Sequence, residues 1–439
     1  MDFGTIAHQN SEDLKQSLHH RLDIIAHDYK VQLVPGLTLE DKLTSLVTAL
    51  NTLNTVVLLI DEYDKPLIDH IIDLDMAEKN RNVLKSFYDC VKGLDEYFRA
   101  IFITGVSKFS KVTIFSGLNN LNDISEDPLA ATLLGYTQEE LEYYFIDYIK
   151  AYGKITGTEK SMVLDTMKQF YNGYRFSKLE IRVYNPFSTG YFLHKQEFAN
   201  YWAKSGNPAF LIKLLKARYE SMDDLTNITV KADNLGPFDV DNIPLIPLLY
   251  QAGYLTIKDA FYEGVKLYFK LDYPNHEIRE YFTEHLIASM TNLDSSKVDG
   301  LLRRIKQSLV DCDITKLCTV LRSLLANIPY YLHIPKESYY HSLFQLIFQL
   351  MGADVHSEVA TSQGRIDTVI MMKTRIYLFE FKFDDAGPVA LAQIIDRRYY
   401  EKYLGLGKPI IAVGIAFNYQ DKMLRLDWVE KEITNQEMP

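Results

Sequence analysis

The chain has 439 residues, with 47 Lys and Arg against 58 Asp and Glu, a formal net charge of −11. That length suits about two to four domains, and its 47% hydrophobic and 24% charged residues exclude a disordered or fibrous chain. No apolar run approaches the roughly 18–20 residues of a membrane span, the first residues lack the basic-then-apolar pattern of a signal peptide, and Cys90, Cys312 and Cys318 read as free thiols of a protein expected in a reducing cytosol. Most of the acidity lies ahead of Tyr331, so charge alone neither supports nor excludes contact between the last quarter and a phosphate backbone.

Leu14, Leu18, Leu22 and Ile25 recur at helical spacing, and the first ~50 residues are read as helices. Thr55–Ile60 (TVVLLI) has the pattern of a strand buried on both faces of a parallel sheet. A helical stretch over Arg81–Tyr97 and a second apolar strand, Arg99–Thr104, complete a β-α-β unit. Asp61 and Glu62 directly follow the first strand, so VVLLIDEYDKP (Val56–Pro66) has the form of a Walker B segment. There the Asp would hold Mg²⁺ through water and the Glu would polarise an attacking water.

From Thr137 to about Arg218 helical patterns alternate with aromatic turns, notably YNGYRFS (Tyr171–Ser177) and VYNPFS (Val183–Ser188). Asp233–Pro247 is rich in Pro, Gly, Asn and Asp and reads as a linker or long loop. Helical patterns resume from Glu277 to about Leu325. A new unit is expected near Ile334-Pro335, led by a helix over about Ser338–Met351 and stopped by Gly352.

The segment Glu358–Phe383 carries the most chemistry. Arg365–Met372 and Arg375–Phe383 read as strands joined by a turn at Lys373-Thr374, a register that sets Asp367 opposite Glu380. Lys382 shares their face, whereas Phe379, Phe381 and Phe383 point to the other. Two opposed carboxylates repel unless a divalent cation lies between them, and Mg²⁺ or Mn²⁺ prefers such hard oxygen ligands. The neighbouring lysine is placed to orient or deprotonate a water, or to offset phosphate charge.

GRID…FEFKF, with ALAQI (Ala390–Ile394) and RRYYEKY (Arg397–Tyr403), resembles the PD-(D/E)xK nuclease superfamily. It looks closest to the nuclease-like domain at the C-terminus of a family of AAA-ATPase-like proteins. The resemblance implies Asp367 and Glu380 as metal ligands, Lys382 as the catalytic lysine and Gln393 as a helix glutamine near the site. A further acidic ligand is expected from the first helix, with Glu337 and Glu358 as candidates, and His341 lies on the same helix. FITGVSKFSKVTIFSGLNNLNDIS (Phe102–Ser125), IDEYDKP, YNGYRFS, YNPFS and YWAKSGNPAFL (Tyr201–Leu211) extend the likeness over almost the whole chain. They imply a polar sensor position near Thr104 and a phosphate-sensing role for Arg175.

The implied fold class is α/β. It comprises an incomplete P-loop-type α/β domain over 1–135, a helical lid and middle region over 136–330, and a restriction-endonuclease-like α/β domain over 331–439. No G-x-x-x-x-G-K-[ST] occurs among the 21 glycines. Without the backbone cradle and lysine of that loop, ATP is not expected as a cofactor, and the chain is expected to be truncated ahead of Met1. The expected function is metal-dependent cleavage of nucleic acid, DNA before RNA, on a degenerate ATPase-like module. The alternatives are an ATP-binding regulator or an inert remnant of one.

Overall fold

The structure, a computed structural model, describes residues 1–109, 121–205, 211–212, 214, 228–239, 242–328, 337–350, 354–420 and 423–433. The chain divides into two packed units: Met1–Phe198 with Ala209–Arg218 and Thr226–Asn275, and Ala199–Pro208 with Tyr219–Leu225 and His276–Pro439. The expected boundary at Ile334-Pro335 lies outside the described residues. Among the described residues no helix is long and apolar enough to cross a membrane.

In the first unit, helices Ser11–Asp28 and Leu39–Leu53 are N-capped by the side chains of Asn10 and Thr38. Strand β1 (Val56–Ile60), helix Leu74–Gly93 and strand β2 (Phe98–Ile103) follow, and β1 pairs with β2 in parallel. This is the β-α-β unit expected from the sequence. Its burial differs from expectation, because Val57, Leu59 and Phe102 are 50%, 59% and 44% exposed. Along β1 the exposed Val57 and Leu59 alternate with the less exposed Val56 and Leu58 and the buried Ile60, so one face of the strand is covered and the other is not. Strands β3 (Ile228–Lys231), β4 (Thr256–Glu263) and β5 (Lys266–Asp272) form a separate antiparallel sheet in the order β3-β5-β4. The expected loop Asp233–Pro247 is interrupted by regular structure at both ends: Ala232–Leu235 is a short 3-10 helix and Leu245–Pro247 begin helix Leu245–Gln251, while buried Leu235 and Phe238 anchor the stretch, with Phe238 N donating to Lys108 O at 3.1 Å.

Asp64, three residues past Asp61, is fully buried and ties β1 to the segment after β2. Its carboxylate accepts from Val106 N at 3.1 Å and from both Ser107 N and Ser107 Oγ at 2.6 Å. Burial pushes the Asp64 carboxyl up, and the Ser107 and Val106 donors offset part of that shift. Gly105 is required within this clamp, because a Cβ there would lie 2.4 Å from Tyr63 and 2.7 Å from Asp64 Oδ1. Asp64→Ala strands three buried donors and is expected to cost about 3 kcal/mol or more, read as a clear fall in the urea midpoint. An unchanged midpoint would refute the clamp.

The second unit opens with helices His276–Thr291, Ser295–Asp311, Ile314–Leu325 and Glu337–Leu350. A five-stranded sheet follows, built from β6 (Asp354–Thr361), β7 (Gly364–Met371), β8 (Ile376–Phe383), β9 (Ile410–Gln420) and β10 (Met423–Ile433). The order is β10-β9-β8-β7-β6, with only β8 and β9 parallel. That crossover carries helix Gly387–Asp396. On one face of β8, Phe379 and Phe381 meet Phe348 and Phe344 of the Glu337 helix, with ring centroids 5.5 and 4.8 Å apart. Phe383 stacks on Tyr340 at 5.8 Å. This aromatic layer fixes β8 and frees its other face for Glu380 and Lys382. Gly352, the expected stop of the first helix, lies outside the described residues.

Candidate active site

The β7–β8 ladder pairs Thr368 with Phe379 and Met371 with Ile376, and Met372 N donates to Arg375 O at 2.9 Å around Lys373-Thr374. That is the register read from the sequence. The ladder stops one pair short of Asp367 and Glu380. There the Asp367 carboxylate replaces a backbone acceptor, with Phe381 N donating to Asp367 Oδ2 at 2.8 Å. Asp367 N in turn lies 3.4 Å from Glu380 Oε2. The strands part at this point, and the two carboxyl groups occupy the opening.

Glu380 is 1% exposed and turned away from the phenylalanine layer, with its Oε1 accepting from Gln393 Nε2. Lys382 Nζ lies 3.6 Å from Glu380 and 3.9 Å from Glu337, and donates to Phe381 O at 3.0 Å. Glu337 Oε2 accepts from Phe383 N at 3.2 Å, so the start of the first helix is pinned to the end of β8. His341, one turn further along that helix, sits with Nε2 3.1 Å from both Asp367 O and Thr368 Oγ1. Its partners are protein groups on β7. Glu358 lies on β6, and its side chain is outside the described residues.

Burial, and then the charge of Asp367, push the Glu380 carboxyl up to about 8, against the pull of Lys382. Burial also raises Asp367, which the Phe381 N–H, His341 and Lys382 partly offset. Two neighbouring carboxylic groups that resist ionising together suit a divalent cation. Among the described residues no three His, Cys, Asp or Glu side chains converge as a ready-made metal cage. The hard oxygens that lie together here are those of Asp367 and Glu380, a donor chemistry that fits the one or two carboxylates a Mg²⁺ site typically takes beside water and phosphate.

Sequence reading missed two residues that place Gln393. A Cβ on Gly414, which pairs with Glu380 across β8–β9, would lie 2.3 Å from Leu391 N and 2.4 Å from Gly387 O. Only a glycine lets the Gln393 helix rest directly on the sheet. Asp427 Oδ2 accepts from Gly387 N at 2.8 Å and holds the start of that helix against β10. Neither residue has a local sequence signal, since each acts across the tertiary fold.

In the first unit, Asp61 and Glu62 follow the C-terminal end of β1, and the Asp61 carboxylate accepts from Thr104 Oγ1. Glu62 adopts φ +52°, the left-handed region that a side-chain-bearing residue occupies at a cost. Arg175 is 4% exposed and gives its guanidinium to the carbonyls of Ser177, Lys178 and Lys258. These bonds staple a turn to β4.

Residues 1–115 match a family model described as "Predicted AAA-ATPase", and residues 335–428 match one described as "PD-(D/E)XK nuclease superfamily". The chain is 35% identical over 370 residues to "Uncharacterized protein in vnfD 5'region" of Azotobacter chroococcum mcd 1, covering 83% of this chain and 69% of that protein. The chain belongs to this AAA-ATPase-like family with a C-terminal PD-(D/E)XK domain. Asp367, Glu380, Lys382 and Gln393 all fall within the nuclease-superfamily match, and Asp61, Glu62 and Thr104 within the AAA-ATPase-like match. PD-(D/E)XK nucleases generally use divalent metals. No solved structure matches the chain.

Proposed function

We propose that the PD-(D/E)XK domain hydrolyses phosphodiester bonds in nucleic acid, DNA before RNA, with Mg²⁺ or Mn²⁺. The observation that carries this reading is the buried Glu380 beside Asp367, with Lys382 Nζ 3.6 Å away on the same face. Asp367 and Glu380 would hold the cation through hard oxygens. When bound, the cation would polarise the phosphoryl oxygens and acidify a water. Gln393 orients Glu380 by donating to Oε1, leaving Oε2 on the side of Asp367. Lys382, held between Glu380 and Glu337, would steady the attacking water or offset charge on the phosphate.

The test is cleavage of a labelled DNA duplex by the full chain, with Mg²⁺ or Mn²⁺ and again with excess EDTA. Cleavage is expected to stop with EDTA, and cleavage that survives it would exclude the reading. Lys382→Ala is expected to lower the cleavage rate by about 10²–10⁴-fold, the usual contribution of a positioned acid–base or charge-stabilising group. It should keep most of the metal-induced rise in melting temperature, because a lysine is no cation ligand. A variant that cleaves like the parent removes Lys382 from the site.

A further inference from the structure

Helix Gln138–Thr156 of the first unit leaves an apolar stripe in water. The helix is fixed at both ends, by a capping box between Thr137 and Glu140 and by Gly157 in the left-handed conformation. Leu141, Ile149 and Gly153 are buried on its packing face. On the other side Tyr144, Tyr148, Ala151 and Ile155 recur at steps of four, three and four, all within about 60° of arc at roughly 100° per residue. Tyr144, Tyr148 and Ile155 are 66%, 55% and 75% exposed, and Ala151 is exposed between them. That is the spacing of a helix–helix seam, with large side chains around one small one.

One border of the stripe is a charged row, Glu140, Asp147 and Lys154, at steps of seven. Glu140 Oε2 is engaged by Thr137 N at 2.9 Å. Asp147 is almost fully exposed and lies 3.8 Å from Lys150 Nζ of its own helix, and Lys154 is exposed. The row therefore changes sign along the helix. A parallel copy of the helix would set like charges side by side, whereas an antiparallel copy reverses the row. If Tyr148 faces Ala151 of a second copy, Tyr144 faces its Ile155, and each large side chain meets a smaller one. In the same register Asp147 stands within about 3 Å, along the axis, of Lys154 of the second copy, and the two-fold axis repeats every contact.

We infer that this face pairs with the same face of a second copy of the chain, the two helices running antiparallel about a two-fold axis. The pairing withdraws roughly 500 Å² from each copy, about 1,000 Å² in all, near the lower bound for a specific interface. A weak dimer is expected, with Kd in the micromolar range, and each dimer carries two copies of the Asp367–Glu380 pair. The rigid, capped helix loses little freedom on pairing, which favours association from so small an area. Dimer formation is independent of whether the carboxylate pair cleaves nucleic acid.

The experiment is sedimentation equilibrium of the full chain from about 1 to 100 µM, which brackets the expected Kd. The parent should pass from monomer to dimer over that range. Ile155→Asp should hold it monomeric, because a carboxylate would enter the seam twice. Asp147→Lys and Lys154→Asp should each weaken association about tenfold, since each sets like charges opposite each other twice per dimer. The double variant Asp147→Lys with Lys154→Asp restores opposite charges across the seam and should return Kd to near the parent value. The charge variants leave the apolar stripe intact, so they test the contact even where Ile155→Asp also lowers the melting temperature. A parent that stays monomeric at the highest concentration would overturn the pairing. So would an Ile155→Asp variant that dimerises like the parent, or single charge variants whose loss the double variant does not recover.

Discussion

Glu380→Gln is expected to abolish metal-dependent cleavage and the metal-induced rise in melting temperature, while making the metal-free protein steadier at alkaline pH. The carboxyl titrates at about 8 in the folded chain because burial and Asp367 both oppose its charge. An unfolded glutamate titrates near 4.3. Between those values the folded state holds the extra proton, so stability falls as pH rises. The contribution is fully present below about pH 4.3 and is lost as pH climbs through about 8. It amounts to a few kcal/mol, since each unit is worth about 1.4 kcal/mol and the pair shares its protons.

A bound cation removes the repulsion and adds RT ln(1+[L]/Kd), about 2.7 kcal/mol at a hundredfold excess over Kd. Thermal melts at pH 6 and pH 9, with and without Mg²⁺ or Mn²⁺, separate these effects. The parent should lose stability toward pH 9 and regain it with metal. The glutamine variant, neutral at both pH values, should show a smaller pH loss and no metal response. If it gains as much from metal as the parent, the carboxylate pair is not the binding site.

Gly414→Ala is expected to be the most damaging small substitution in the second unit. The new Cβ would meet two backbone atoms of the Gln393 helix at 2.3 and 2.4 Å, and backbone cannot rotate aside as a side chain can. The helix must lift, which also draws Gln393 away from Glu380. A loss of about 2–4 kcal/mol is expected, a fall in Tm of roughly 5–15 °C for a unit of this size. Cleavage measured well below the new Tm should still be impaired, because Glu380 loses its orienting donor. Gly405→Ala, where an added Cβ meets nothing within 4 Å, is the control and should be close to neutral. Equal melting of both variants would show that the close contact between helix and sheet is not needed.

Much of the site could be read in one dimension because a hairpin is a local object. A two-residue turn and strict alternation suffice to bring Asp367 and Glu380 together and to put Lys382 with them. The β-α-β unit was legible for the same reason, since hydrophobic period and turn chemistry act within a few residues. Where the sequence reading departed from the structure, the deciding contacts were distant. Val57 and Leu59 look like doubly buried strand residues, but burial depends on which layers cover the strand. Resemblance implied a phosphate-sensing role for Arg175, but in the fold it is 4% exposed and gives three of its five N–H donors to carbonyls, two of them local and one from β4.

Sequence by itself determined the strand register, the residue types at the site and the face they share, all set by bond geometry and side-chain period. Tertiary structure alone decided that the ladder opens at Asp367, that Gly414 seats the helix bearing Gln393, and that Glu380 is buried enough to hold its proton. Those properties depend on exclusion of water and on atoms brought within a few ångströms from distant parts of the chain. No pattern along the sequence encodes such distances.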